Sequence, residues 1–260
     1  MPVKCRDCQL IGKNQILLNA TDGYYVYDLG TRALVKELHD PAYKGTYSVR
    51  RLANGHTLVA CNQQGISVHE LDANDALLKT ASFPSLANLR LLRVSPAGTL
   101  LMGANNNVVV EADMTGKVLG QFPLPAPAKH IYQVLRLPNG NALASTGYGH
   151  FLAELDPAGN IVRHIAPPGS TPENSYHFFA GFQLLKNGNI VQCNWTGHGA
   201  QDSTKGVQLV EFDPAGKVVW TWHDAGLAGS IHGVIVLDDL DTNVLNDDQS
   251  GTLQASPPRL

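Results

Sequence analysis

Three histidines stand near the starts of apolar runs in this chain of 260 residues: His130 before Ile131-Tyr132, His177 before Phe178-Phe179, and His232 before Gly233-Val234. Imidazole can ligate a metal, attack as a nucleophile or move a proton near neutral pH. Brought to one opening, the three would make a metal site or a catalytic centre. Arg90, at a similar place, adds a fixed positive charge for an anion, and Tyr47 and Tyr132 add rings and hydroxyls. Two long loops hold the other candidates. Residues 167–176 include Glu173 and Tyr176, and residues 195–206 include Trp195, His198, Asp202 and Lys205. Loops of that length in a compact domain are commonly functional or mobile. The ligand-binding set is therefore Tyr47, Arg90, Tyr132, Glu173, Tyr176, His177, Trp195, His198 and His232. His130, His177, His232 and Arg90 are the candidates for catalysis.

What would bring residues so far apart together is a repeat. Similar segments begin at Ser48, Leu91, Gln133 and Gly181, with a weaker copy at Cys8. The turn glycines Gly55, Gly98, Gly140 and Gly188 are spaced 43, 42 and 48 residues apart. Each copy reads as four strands. The first turn has the form of Pro138-Asn139-Gly140-Asn141, and Asn-Gly between apolar runs is a strong hairpin signal. The last turn has the form of Asp156-Pro157-Ala158-Gly159, in which each residue type favours the turn for a separate backbone reason. An acid recurs near the end of the third strand, at Asp28, Glu70, Glu111, Glu154 and Glu211. These acids and the turn aspartates read as turn chemistry rather than as a metal array.

A four-stranded unit repeating every 40 to 45 residues predicts an all-β, six-bladed β-propeller of four-stranded antiparallel blades. One domain spans 1–260. The blades fall at about 6–45, 46–87, 88–129, 130–172, 173–229 and 230–260, with N-terminal residues completing the last. Five blades with an appended hairpin is the alternative. In such a ring the starts of the innermost strands and two of the loop sets surround one mouth of the central channel, where all the candidates gather. Trp220 and Trp222 share one face of a strand and are expected to pack between blades.

Composition narrows the partners. The formal net charge is −3, so no basic field attracts nucleic acid or an anionic membrane. No apolar stretch is long enough to span a bilayer. Four cysteines, Cys5, Cys8, Cys61 and Cys193, make no disulfide scaffold, and Cys5-x-x-Cys8 lacks the second pair that a zinc site needs. Met1-Pro2-Val3-Lys4-Cys5 carries no apolar signal run, so the location reads as cytoplasmic as written, or periplasmic or secreted had a signal been removed. No metal or cofactor is expected; a metal held by His130, His177 and His232 is the alternative. The expected partner is a small polar ligand, such as a sugar or glycan, or a protein.

Leu184-Leu185-Lys186-Asn187-Gly188-Asn189-Ile190 and Glu211-Phe212-Asp213-Pro214-Ala215-Gly216-Lys217-Val218-Val219-Trp220 resemble the blade motifs of quinoprotein-like propellers, and more closely those of the arylsulfotransferase-like branch. The resemblance covers nearly the whole chain. It implies that chemistry sits at the channel mouth, where arylsulfotransferases use a histidine nucleophile supported by other His and Arg residues. His130, His177 and His232 occupy comparable places. Quinone-dependent dehydrogenases have eight blades, so the resemblance implies no quinone here. Two functions stay open: a binding module, and a histidine-using hydrolase, lyase or transferase. A plain scaffold is the third and would have its channel mouth plugged by apolar side chains.

Overall fold

The last turn of each repeat is closed by its own aspartate. The Oδ1 atoms of Asp72, Asp113, Asp156 and Asp213 each accept from the N–H groups two and four residues on, at 2.8–3.2 Å. The side chain imitates a backbone turn. The Thr115 hydroxyl and the Asn160 side-chain amide, with these N–H groups, hold the Asp113 and Asp156 carboxyls below their ordinary range. The third-strand acids tie back to the residue after the first turn: Glu70 to His56 at 2.7 Å, Glu154 to Asn141 at 2.7 Å and Glu211 to Asn189 at 2.6 Å. Both recurring acids belong to the fold.

Our computed structural model describes residues 5–166, 175–199, 201–238 and 240–246. The turns join twenty strands in this part of the chain. The first blade is β1 (Cys8–Leu10), β2 (Gln15–Asn19), β3 (Gly23–Asp28) and β4 (Leu34–His39). The second is β5 (Thr46–Arg51), β6 (Thr57–Gln63), β7 (Gly65–Leu71) and β8 (Leu77–Phe83). The third is β9 (Leu92–Val94), β10 (Leu100–Ala104), β11 (Val108–Ala112) and β12 (Val118–Pro123). The fourth is β13 (Val134–Arg136), β14 (Ala142–Ser145), β15 (Leu152–Leu155) and β16 (Ile161–Ile165). The fifth is β17 (Phe179–Leu184), β18 (Ile190–Asn194), β19 (Leu209–Phe212) and β20 (Val218–Trp222). Each blade is an antiparallel sheet in chain order.

Apolar side chains fill the spaces between blades. Leu58, Val68 and Phe83 of the second pack with Leu92, Leu100 and Val110 of the third, and Leu143 and Leu152 of the fourth with Phe179 and Phe212 of the fifth. Near the axis the cement is polar. Gln9, Gln133 and Gln183 each use both ends of the side-chain amide to clasp one backbone residue of the next segment: Arg51, Phe182 and Val236 respectively. Val236 therefore stands to β17 as Phe182 stands to β13.

The expectation of six blades is overturned. Five are present. Residues 230–238 and 240–246 form no sheet of their own; they cross from the fifth blade to the first as an irregular segment. Gly181 N–H donates to His232 at 2.8 Å, Leu245 bridges Ile11, and Gln9 Nε2 donates to Asn246 at 2.9 Å. The residues carry the difference: between Gly233 and Gly251 there is no Asn-Gly turn of the kind seen in other copies. Nor do residues 5–7 lie along an outer edge: Asp7 is buried and ion-paired to Arg93 of the third blade. The blade count is that of the alternative reading, but the described part of the following segment is a crossing and not a hairpin. Trp220, expected between blades, is 43% exposed because no sixth blade covers it. It lines a groove with Glu211, Val236 and Leu240. Among the described residues no helix is long and apolar enough to cross a membrane.

Candidate functional site

One mouth of the ring opens into a concave pocket of about 700 Å³. Successive blades supply its wall in order. Cys5 and Arg6 come from the N-terminal approach to β1, Tyr47 from β5, and Arg90 from just before β9. His130, Tyr132 and Tyr148 come from around β13 and β14, Phe178 from before β17, Trp195 and His198 from the loop after β18, and Ser230 and His232 from the crossing segment.

The first half of this circle is basic. The Arg6 guanidinium lies 4.5 Å from the centroid of the Tyr47 ring and that of Arg90 lies 5.9 Å from it. Arg90 Nη2 also donates to His130 Nδ1 at 3.2 Å. Guanidinium can only donate, so Nδ1 is the bare nitrogen and the His130 proton sits on Nε2. The backbone at His130 has φ 62, a left-handed conformation uncommon for a residue with a side chain. Among the described residues neither Arg6 nor Arg90 has a carboxylate partner, and the pocket lining contains no Asp, Glu, Asn or Gln.

The second half is aromatic. Tyr148 meets Phe178 edge-on at 4.8 Å, Phe178 meets Trp195 at 5.7 Å, and Trp195 meets His198 at 4.5 Å. Tyr132 stacks on His232 at 6.0 Å, and Trp195 lies 5.6 Å from the same imidazole. Such contacts between ring faces and edges fix the side chains beyond what burial alone does. Ser230 ties this wall together by donating to Gly197 at 2.7 Å.

Burial pushes His232 down to about 4, helped by the charges of Arg6, His198 and Arg90. Burial and the Arg90 charge also lower His130. Both imidazoles are neutral at pH 7. In the unfolded chain a histidine takes its proton near 6.5, so folding gives up that proton. The favourable contribution is complete above about 6.5 and is lost as pH falls towards 4. His232→Gln is expected to lose about 2–3 kcal/mol less stability than the parent between those two values. Urea unfolding at each pH measures this, and equal slopes for the two proteins would refute it.

Of the residues singled out from sequence, the structure brings His130, Arg90, Tyr47, Tyr132, Trp195, His198 and His232 into one lining. It leaves out His177, whose side chain is exposed and whose N–H is held by Asn194 at 2.7 Å. Tyr176 is buried against Phe179 at 5.2 Å, in the packing between blades. Glu173 lies outside the described residues. Asp202 and Lys205 pair with each other at 2.7 Å. Cys5, Arg6, Tyr148, Phe178 and Ser230 line the pocket without belonging to the candidate set. Tyr148 sits in Thr146-Gly147-Tyr148-Gly149, the loop between the second and third strands of its blade, and such loops open on this face. Among the described residues no group of three His, Cys, Asp or Glu is placed to hold a metal ion.

Comparison with solved structures adds a set of like-folded proteins. A protein of unknown function from Bacteroides caccae superposes with a TM-score of 0.74 at 24% identity, over 88% of this chain and 85% of that one. A streptogramin B lyase superposes at 0.61 with 16% identity, over 86% and 70%. A catalytically inactive histidine-to-alanine variant of virginiamycin B lyase from Staphylococcus aureus, bound to quinupristin, superposes at 0.60 with 14% identity, over 85% and 70%. The chain is a β-propeller. At these identities the likeness is one of fold, and site residues do not transfer with it. No family model matches the chain, and no curated protein matches it in sequence.

Proposed function

We propose that the chain is a binding module whose channel-mouth pocket takes a small anionic ligand. One observation carries this reading: two guanidiniums share the Tyr47 ring in a pocket where the described residues place no carboxylate. Like charges so placed repel each other unless an anion lies between them. The neutral histidines add N–H donors without adding charge. A neutral sugar, one example of the small polar ligand expected from sequence, needs acceptors for its hydroxyls, and the described lining offers no side-chain amide or carboxylate oxygen.

Arg6→Ala and Arg90→Ala are each expected to weaken binding of cyclohexanecarboxylate or inorganic phosphate by about ten- to a hundred-fold, as loss of a charge-assisted hydrogen bond would. Calorimetry at constant ionic strength measures it. Unchanged affinity in both variants would remove the reading.

A second reading, a histidine-using hydrolase, lyase or transferase, is favoured by His232. Its imidazole is neutral, hence nucleophilic, and shares the pocket with Arg90. The arylsulfotransferase-like blade motifs and the inactive histidine variant of the like-folded lyase point the same way. Against it, His130 Nδ1 is already occupied by Arg90 and no carboxylate orients either imidazole. This reading expects p-nitrophenyl acetate to be turned over by the parent and not by His232→Ala, with anion binding kept. Equal rates in both would exclude His232 as the reacting group.

A further inference from the structure

We infer, resting on the anion reading above, that the ligand is an aromatic carboxylate: its carboxylate meets Arg6 and Arg90, and its ring lies on the wall formed by Tyr148, Phe178 and Trp195. The order of blades around the axis divides the pocket into these two halves. The two arginines come from the approaches to the first and third blades, and the wall of Tyr148, Phe178 and Trp195 from the fourth and fifth. A bare inorganic anion would use only the first. The second is not merely core left uncovered, because Tyr148 is 46% exposed while held edge-on to both His130 and Phe178. A large ring kept at the surface by its neighbours, beside a cavity, offers its face to another ring.

Tyr132 also lines the pocket and stacks on His232, adding its ring to the aromatic half. The guanidinium fork matches the planar pair of oxygens of a carboxylate. The volume, about 700 Å³, is in the range of pockets that enclose most of a small organic molecule.

The test uses the full chain and four probes in calorimetry: 2-naphthoate, its uncharged isostere 2-naphthamide, cyclohexanecarboxylate and 2-naphthyl phosphate. Naphthoate is expected to bind about ten-fold tighter than the amide, which lacks the charge, and than the cyclohexane acid, which lacks the ring. Trp195→Ala tests the wall directly but removes a buried side chain. The exposed Tyr148→Ala is therefore the companion. It should weaken naphthoate by about three- to ten-fold and leave cyclohexanecarboxylate within about two-fold. If cyclohexanecarboxylate or the phosphate ester binds as tightly as naphthoate, or if Tyr148→Ala weakens both acids alike, the aromatic carboxylate is wrong while the anion reading stands. If no anion binds, both fall together.

Discussion

Asp7→Ala is expected to lower the free energy of unfolding by about 3–5 kcal/mol, the usual result of deleting one partner of a buried ion pair. Asp7 is 1% exposed, with Arg50 at 4% and Arg93 at 6%. Its Oδ1 lies 3.1 Å from Arg93 Nη2 and 3.7 Å from Arg50 Nη1, and its Oδ2 accepts from the Ser48 hydroxyl, from Val49 N–H at 3.2 Å and from Arg93 Nη1 at 3.2 Å. Removing the carboxylate takes one counter-charge from two buried guanidiniums, each of which keeps other partners. Desolvation of those charges, rather than loss of any one bond, sets the size of the effect. Asp22→Ala is the control: its partner His39 is 2.7 Å away, but both side chains reach solvent, so the cost should be at most about 1 kcal/mol. Urea unfolding of both variants decides it. A cost near that of Asp22→Ala would mean that water reaches the Arg50 and Arg93 guanidiniums once the carboxylate is gone.

Gly147→Ala should cost about 3 kcal/mol, the upper end for a packed site forced to admit an extra group. A Cβ there would stand 2.3 Å from the Lys129 carbonyl oxygen, 2.4 Å from that of His130 and 2.9 Å from the Phe178 ring. Two of these are backbone, which has little room to yield. Gly147 also joins segments: it bridges Lys129 on one side and Phe179 on the other. His130 and Phe178, one from each half of the pocket, are thus set by one residue that has no side chain. Gly140→Ala separates the causes. Its φ of 88 is also left-handed, but a Cβ there meets nothing within 4 Å, so only the backbone penalty of about 1–2 kcal/mol applies. Thermal unfolding compares the pair. Equal costs would mean that the clash relaxes freely; the expected difference would be accompanied by weaker ligand binding in the Gly147 variant alone.

The blades are legible because an Asp-led turn recurs in each and an Asn-Gly turn in the second, fourth and fifth, and both turns depend on local backbone chemistry. Residues 230–246 carry apolar residues at suitable places but neither turn, so periodicity alone cannot say whether they fold back into a sheet. In the structure they do not. The mouth of the ring follows from symmetry, which is why Tyr47, Arg90, Tyr132 and His232 meet there. Around the fifth blade the reading slips by a single position. Tyr176 faces the core, His177 faces out and Phe178 lines the pocket, in the alternation natural to extended chain. The insertion before them removes the fixed distance that sets this phase elsewhere. Gly147 escapes notice because closeness to Lys129 and Phe179 is a property of three dimensions.

The crossing segment couples recognition to the integrity of the circle. Ser230 and His232 line one pocket with Arg6, from the other end of the described chain, and the clasps at Val236 and Asn246 hold those segments side by side. The pocket is complete only when the ring is shut. A bound ligand is then a buckle: by mass action it adds its binding free energy to the one junction that lacks a full blade.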